Sequence, residues 1–137
     1  MGKILAIDFG LKRTGLAITD ENKIIASGLT TVESKEMMNF LIKLTQKEVI
    51  ETIILGEPKR LNNEDSHITA NVRLLKEALE KQFPKITIKL IDERFTSKMA
   101  FQTMIDSGLK KNQRKNKALV DEISATIILQ SYMSSKH

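Results

Sequence analysis

The stretch Ile4 to Thr19, ILAIDFGLKRTGLAIT, constrains the fold more than any other part of the chain. Ile4, Leu5, Ala6 and Ile7 form a short, wholly apolar run bounded by a turn signal, which is the pattern of a buried strand. Asp8 stands at its carboxyl end, and a charge at a buried position needs a compensating partner or a metal ion. Gly10 and Gly15 bracket Leu11 to Thr14. Residues without a Cβ let the backbone turn sharply or come close to a phosphate or another chain segment. The apolar pattern resumes over Thr14 to Thr19 as a second strand, so the chain opens with a hairpin.

A turn at Asp20 to Lys23 and a third strand from Ile24 to about Val32 extend the hairpin into an antiparallel meander. Ser34 is a good N-cap for a helix carrying Met37, Phe40, Leu41 and Leu44 at helical spacing. A short strand, Thr52 to Leu55, ends at Gly56-Glu57-Pro58, and the polar segment Lys59 to Ser66 reads as a loop. A second helix, from near Ser66, places Ile68, Val72, Leu75 and Leu79 on one stripe and stops before Pro84. Ile86 to Ile91 alternates as a strand and ends in Asp92 and Glu93. Thr96 or Ser97 can cap a third helix reaching Gly108, and Ala118 to about Met133 makes the last.

A meander followed by strand-helix units predicts a five-stranded mixed α/β sheet, its later strands parallel to the first, with helices on its faces. Ligands in such sheets bind beyond the carboxyl ends of strands where the order reverses. Asp8, the Gly56 turn and Asp92-Glu93 all arrive at that edge. The 137 residues fit a single domain, 1–137.

Several classes fall away. The chain has no cysteine, hence no disulfide, thiolate metal site or cysteine nucleophile. No apolar run approaches the roughly 20 residues of a membrane span, and no signal-peptide pattern precedes the first strand. A cytoplasmic location is expected. The net charge of +5 favours polyanionic partners. Clustering sharpens this, because GLKKNQRKNK over 108–117 holds Lys110, Lys111, Arg114, Lys115 and Lys117 with no acid among them.

In the last helix, Val120, Ile123, Ile127, Ile128 and Leu129 are apolar almost all round, and Asp121 is the misfit. It shares a face with Ser124, Ala125 and Ile128, small enough on that side to approach the first strand closely. An acid in a first helical turn is also explained by the helix dipole alone. Asp8, Asp92 or Glu93, and Asp121 together make a different case. Like charges converging at one buried edge repel unless cations bridge them, and Mg²⁺-like ions prefer carboxylate oxygen. Two such ions roughly 4 Å apart support in-line phosphoryl displacement. Carboxylates for metals beside lysine-rich segments for phosphates describe a metal-dependent nuclease.

These residues resemble the YqgF (RuvX) family of the RNase H-like superfamily, described both as Holliday junction resolvases and as nucleases that process the 5′ end of precursor 16S ribosomal RNA. The resemblance rests on Asp8-x-Gly10-x-x-Arg13-x-Gly15-x-Ala17, Gly56-x-Pro58, Asp92-Glu93-Arg94-Phe95-Thr96, and Asp121 with Ala125, Ile128, Leu129 and Gln130. It implies an RNase H-like fold with strand order 3-2-1-4-5, catalytic and metal-ligating Asp8, Glu93 and Asp121, and Mg²⁺ or Mn²⁺ as two ions. With Asp8 so placed, the glycine turn from Gly10 to Gly15 reads as clearance for substrate. Asp92 is the alternative ligand to Glu93, since adjacent acids on a strand point to opposite sides. Arg13, Lys59, Arg60, Arg94 and the lysines and arginine of 110–117 are the expected nucleic-acid contacts, although Arg13 can equally pair with one of the acids.

The implied partner is nucleic acid, structured RNA or branched DNA, with a homodimer left open. Aromatic residues are scarce, with five Phe, one Tyr and no Trp, so base stacking is not expected to dominate recognition. A non-catalytic RNA-binding assembly factor is the reading from another class. The hairpin is also similar to the phosphate-binding hairpin of actin-like sugar kinases, but those need two such lobes, and Leu16 and Ala17 stand where a P-loop requires Lys and Ser or Thr.

Overall fold

The computed structural model describes residues 2–58, 67–93 and 117–134. Strands β1 (Lys3–Phe9), β2 (Arg13–Thr19) and β3 (Ala26–Glu33) form the meander, followed by a single 3-10 turn (Ser34–Glu36) and helix α1 (Met37–Lys47). Then come β4 (Ile50–Pro58), α2 (His67–Gln82), β5 (Thr87–Glu93) and α3 (Lys117–Ser134). One sheet holds all five strands in the order β3-β2-β1-β4-β5, as expected. β2 runs antiparallel to β1 and β3, while β4 and β5 run parallel to β1. The expected third helix over 96–108, the loop 59–66 and most of the basic segment lie outside the described residues; Lys117 opens α3.

The pleat sorts β1 into two inward-facing series, because both faces of the sheet are covered. Leu5 and Ile7 join Leu16, Ile53 and Leu55 on one face, under Met37 and Leu41 of α1 and Val72 and Leu79 of α2. Ile4 and Ala6 join Ala17 and Ile54 on the other, under Ala125, Ile128 and Leu129 of α3. A strand buried on both sides is apolar at consecutive positions, which is why ILAI carries no alternation. The α3 side is the thinner layer. Ala6, Ala17 and Ala125 contribute single methyl groups there, and the helix lies across β2 and then β3 and β1.

Two local expectations need correction. β3 begins at Ala26 and not at Ile24. The Asp20 carboxylate accepts the backbone N–H groups of Ile24 and Ile25 at 2.8 and 2.9 Å, and Lys23 adopts a left-handed φ of 59°, so these residues form a closed loop. Both isoleucines are left exposed, at 72% and 61%. Ser34 likewise is not the N-cap of α1, which starts at Met37 after the 3-10 turn. Its hydroxyl is used elsewhere, in the hairpin described next.

Candidate active site

β1 delivers Asp8 to the α3 side of the sheet, since it continues the series Ile4, Ala6. Across the strand pair Asp8 is in register with Gly15, and Gly15 is where α3 touches the sheet. A Cβ built on Gly15 would collide with the backbone carbonyl of Asp121 and would stand 3.0 Å from the amide nitrogen of Glu122. The first turn of α3 therefore rests directly on β2. This corrects the substrate-clearance reading of Gly15: the space above it holds the helix backbone. It also moves the close approach from the first strand to the second.

Asp8 and Asp121 are thus neighbours through Gly15, although they stand near opposite ends of the chain. Arg13, in the same strand series as Gly15 and Ala17, donates from Nε to Asp121 Oδ2 at 3.0 Å. The side chains of this pair are 38% and 24% exposed, so the contact is a half-buried, charge-assisted hydrogen bond. Of the two roles open to Arg13 in the sequence, pairing with an acid is present in the fold.

The hairpin turn that carries Arg13 is fastened from behind. The Ser34 amide donates to the Lys12 carbonyl at 2.9 Å, and the Ser34 hydroxyl donates to the Gly10 carbonyl. That uses the hydroxyl's single proton, so Thr14 Oγ1, fully buried, is the donor to Ser34 Oγ at 2.8 Å. The sequence marked neither Thr14 nor Ser34 as a fastening of the hairpin. Ser34 looked like a helix cap because a serine before an apolar run has the same local signature in either role.

β5 ends at the same edge of the sheet, with Asp92 in register with Glu57 and Glu93 with Pro58 of β4. Lys89 reaches Tyr132 of α3, its Nζ 3.1 Å from the phenol oxygen, and Ile91 packs on the α3-side cluster. Ile88 and Leu90 belong to the opposite face. By alternation, strand position 93 continues the α3-side series and position 92 the other. Lys59, Arg60, Arg94, Lys110, Lys111, Arg114 and Lys115 lie outside the described residues.

α3 holds one further polar feature. Ser124, one turn beyond Asp121, is 1% exposed, and its buried hydroxyl has no hydrogen-bond partner among the described residues. Among the described residues no helix is long and apolar enough to cross a membrane.

A five-stranded sheet in this order, with acids at the carboxyl edge and a final helix seated on the first hairpin, defines an RNase H-like domain. The chain belongs to the RuvX family, described as Holliday junction resolvase, whose profile matches residues 2–135. It is 58% identical over 136 residues to a protein of Flavobacterium psychrophilum named "Putative pre-16S rRNA nuclease", covering 99% of each chain. A protein of the same name from Phocaeicola vulgatus is 54% identical, covering 99% of this chain and 98% of its own. Among solved structures, Thermus thermophilus RuvC in complex with a Holliday junction substrate superimposes with a TM-score of 0.58 at 13% identity over 98% of both chains. The fowlpox virus resolvase with its junction DNA gives 0.56 at 17% identity over 97% of both. These two likenesses are of fold.

Proposed function

We propose that this chain, acting as one domain, is a metal-dependent nuclease that hydrolyses phosphodiester bonds of structured RNA and trims the 5′ end of precursor 16S ribosomal RNA. The observation that carries this reading is the meeting of Asp8 and Asp121 through Gly15 at the strand edge where β5 also ends. The names of relatives more than half identical to this chain support ribosomal RNA as the substrate.

The donor chemistry fits Mg²⁺ or Mn²⁺. Asp8 and Asp121 carry carboxylate oxygens, the donors hard divalent ions take, on segments whose backbones meet at Gly15. Glu93 is the third ligand in this proposal, and strand alternation favours it over Asp92. Two bound ions would supply Lewis acidity and charge neutralisation at the scissile phosphate. The chain's own part is positional. Asp8 and Asp121 would hold the ions, and Arg13 fixes the rotamer of Asp121 through Nε. Water attacks phosphorus, the bond from phosphorus to O3′ breaks, and the products carry a 5′ phosphate and a 3′ hydroxyl. Lys59, Arg60, Arg94 and the basic segment from Lys110 to Lys117 are the proposed grip on the backbone, which suits recognition of shape more than of base sequence.

The second reading is cleavage of branched DNA, favoured by the family's description as Holliday junction resolvase. A precursor RNA with a 5′ extension and a four-way DNA junction, each incubated with Mn²⁺ and with chelator, separate the two by which one is cut. Asp8→Asn should lower cleavage at least 100-fold while nucleic-acid binding and folding persist. Cleavage by that variant at the parent rate would sink the assignment. A parent chain that binds RNA yet cuts neither substrate would leave the non-catalytic assembly factor in its place.

A further inference from the structure

We infer that the open cavity of about 410 Å³ between the β1-β2 turn and the 3-10 turn is a backbone-phosphate subsite beside the cleavage centre, with Lys12 and Lys35 as its phosphate-binding residues. This rests on the nuclease reading and extends it to residues outside the motif acids and the basic segment.

Leu11, Lys12, Arg13, Glu33 and Lys35 line the cavity. Arg13 belongs to both places: its guanidinium holds Asp121, and its side chain forms one wall of the cavity, so the two sites are contiguous. Glu33 faces Arg13 across the β2-β3 register. A nucleic-acid strand whose scissile phosphate sits at Asp8 and Asp121 and which runs on past Arg13 meets this cavity next.

The charge is suitably disposed. Arg13 is committed to Asp121. Lys12 makes no ion pair among the described residues, and Lys35 meets Glu33 at 3.4 Å with the two side chains 78% and 66% exposed. A pair in that much water is weak and often contributes nothing measurable. Lys35 can therefore exchange Glu33 for a phosphate at little cost. Leu11, 61% exposed, gives the rim an apolar surface against which a sugar can rest.

The platform is also rigid, which separates it from an ordinary pair of surface lysines. Ser34 joins the two turns that carry them, through its amide to Lys12 and its hydroxyl to Gly10 and Thr14. Pre-arranged cations lose less conformational freedom on binding than cations on independent loops.

The test is anisotropy of a fluorescent RNA hairpin with a 5′ single-stranded extension, bound by the full chain in chelator across a salt series. Lys12→Gln with Lys35→Gln should weaken binding roughly three- to tenfold near 0.1 M salt and reduce the slope of log affinity against log salt by about two, one per phosphate contact. Lys47→Gln, at the far end of α1, removes equal charge per residue and serves as the reference. Both lysines are exposed, so the melting temperature should not move. Equal, small effects from the double variant and from Lys47→Gln, or an unchanged salt slope, would overturn the subsite. Because no cleavage occurs in chelator, failure of the nuclease reading registers separately, as an intact substrate when Mn²⁺ is restored.

Discussion

The backbone of Asp121 occupies the space that a side chain on Gly15 would fill, so one glycine sets the distance between helix α3 and the strand paired with Asp8. The seating is tight because the obstacle is main chain, which cannot rotate away as a side-chain tip does.

Gly15→Ala should therefore destabilise the fold by roughly 1–3 kcal/mol, the usual cost of overpacking a well-filled contact. It should also depress cleavage beyond what the stability loss explains, by pushing Asp121 away from Asp8. Gly28→Ala is the contrast. The three atoms nearest a Cβ there all belong to the side chain of Glu122, at 2.5 to 3.0 Å, and that side chain can move. Its cost should stay within about 0.5 kcal/mol. Urea denaturation of both variants, with cleavage at matched folded fraction, checks the pair; equal costs would mean that α3 shifts freely.

Arg13→Gln separates positioning from stability. The ion pair with Asp121 is partly solvated, so its loss should cost about 1 kcal/mol or less. Cleavage should fall much further, since Asp121 loses the donor that fixes its rotamer. Arg13→Lys should restore little, because an ammonium does not reproduce the directed Nε–H bond. Thermal melts beside single-turnover rates test this, and activity falling only in proportion to stability would contradict it.

Ser124→Ala should be neutral or stabilising, by up to about 1 kcal/mol. The buried hydroxyl has no partner among the described residues, so removing it relieves a desolvation cost and keeps the packed Cβ in place. Denaturant midpoints decide the matter. A loss exceeding about 1 kcal/mol would mean that the hydroxyl is satisfied in solution.

The Asp20 loop should loosen in acid. The N–H groups of Ile25 and Ile24 hold the Asp20 carboxyl below its ordinary value of 3.8. A group whose pKa is lowered on folding contributes stability above its unfolded pKa and loses it as pH falls through the folded one. Protection of the Ile24 and Ile25 amides from hydrogen exchange should thus be constant at neutral pH and decline below about pH 4. Asp20→Asn keeps an acceptor oxygen but no titration, so its protection should not vary over that window. Identical profiles for both proteins would show that the carboxylate is not the latch.

Much of the fold is legible in the sequence because it is dictated locally. The apolar run ILAI has to be a strand covered on both faces, and the meander followed by strand-helix units leaves few topologies for one sheet. The stripes Met37 to Leu44 and Val72 to Leu79 require sheet-facing helices, and both are found there. Of the candidate site, the sequence supplied the acids and their arrival at one strand edge.

What it could not decide depends on contacts between residues far apart in the chain. A glycine has one letter whether it makes way for a substrate or for a helix, and only the packing of α3 gives Gly15 to the helix. Ser34 reads as a cap until the hairpin folds over it and takes its hydroxyl, and Ile24 reads as strand until Asp20 captures its amide. Composition and periodicity determined the sheet, its helices and the acids at its edge. Tertiary structure decided which residues share a face, since that depends on the register and on the close seating of α3 upon β2.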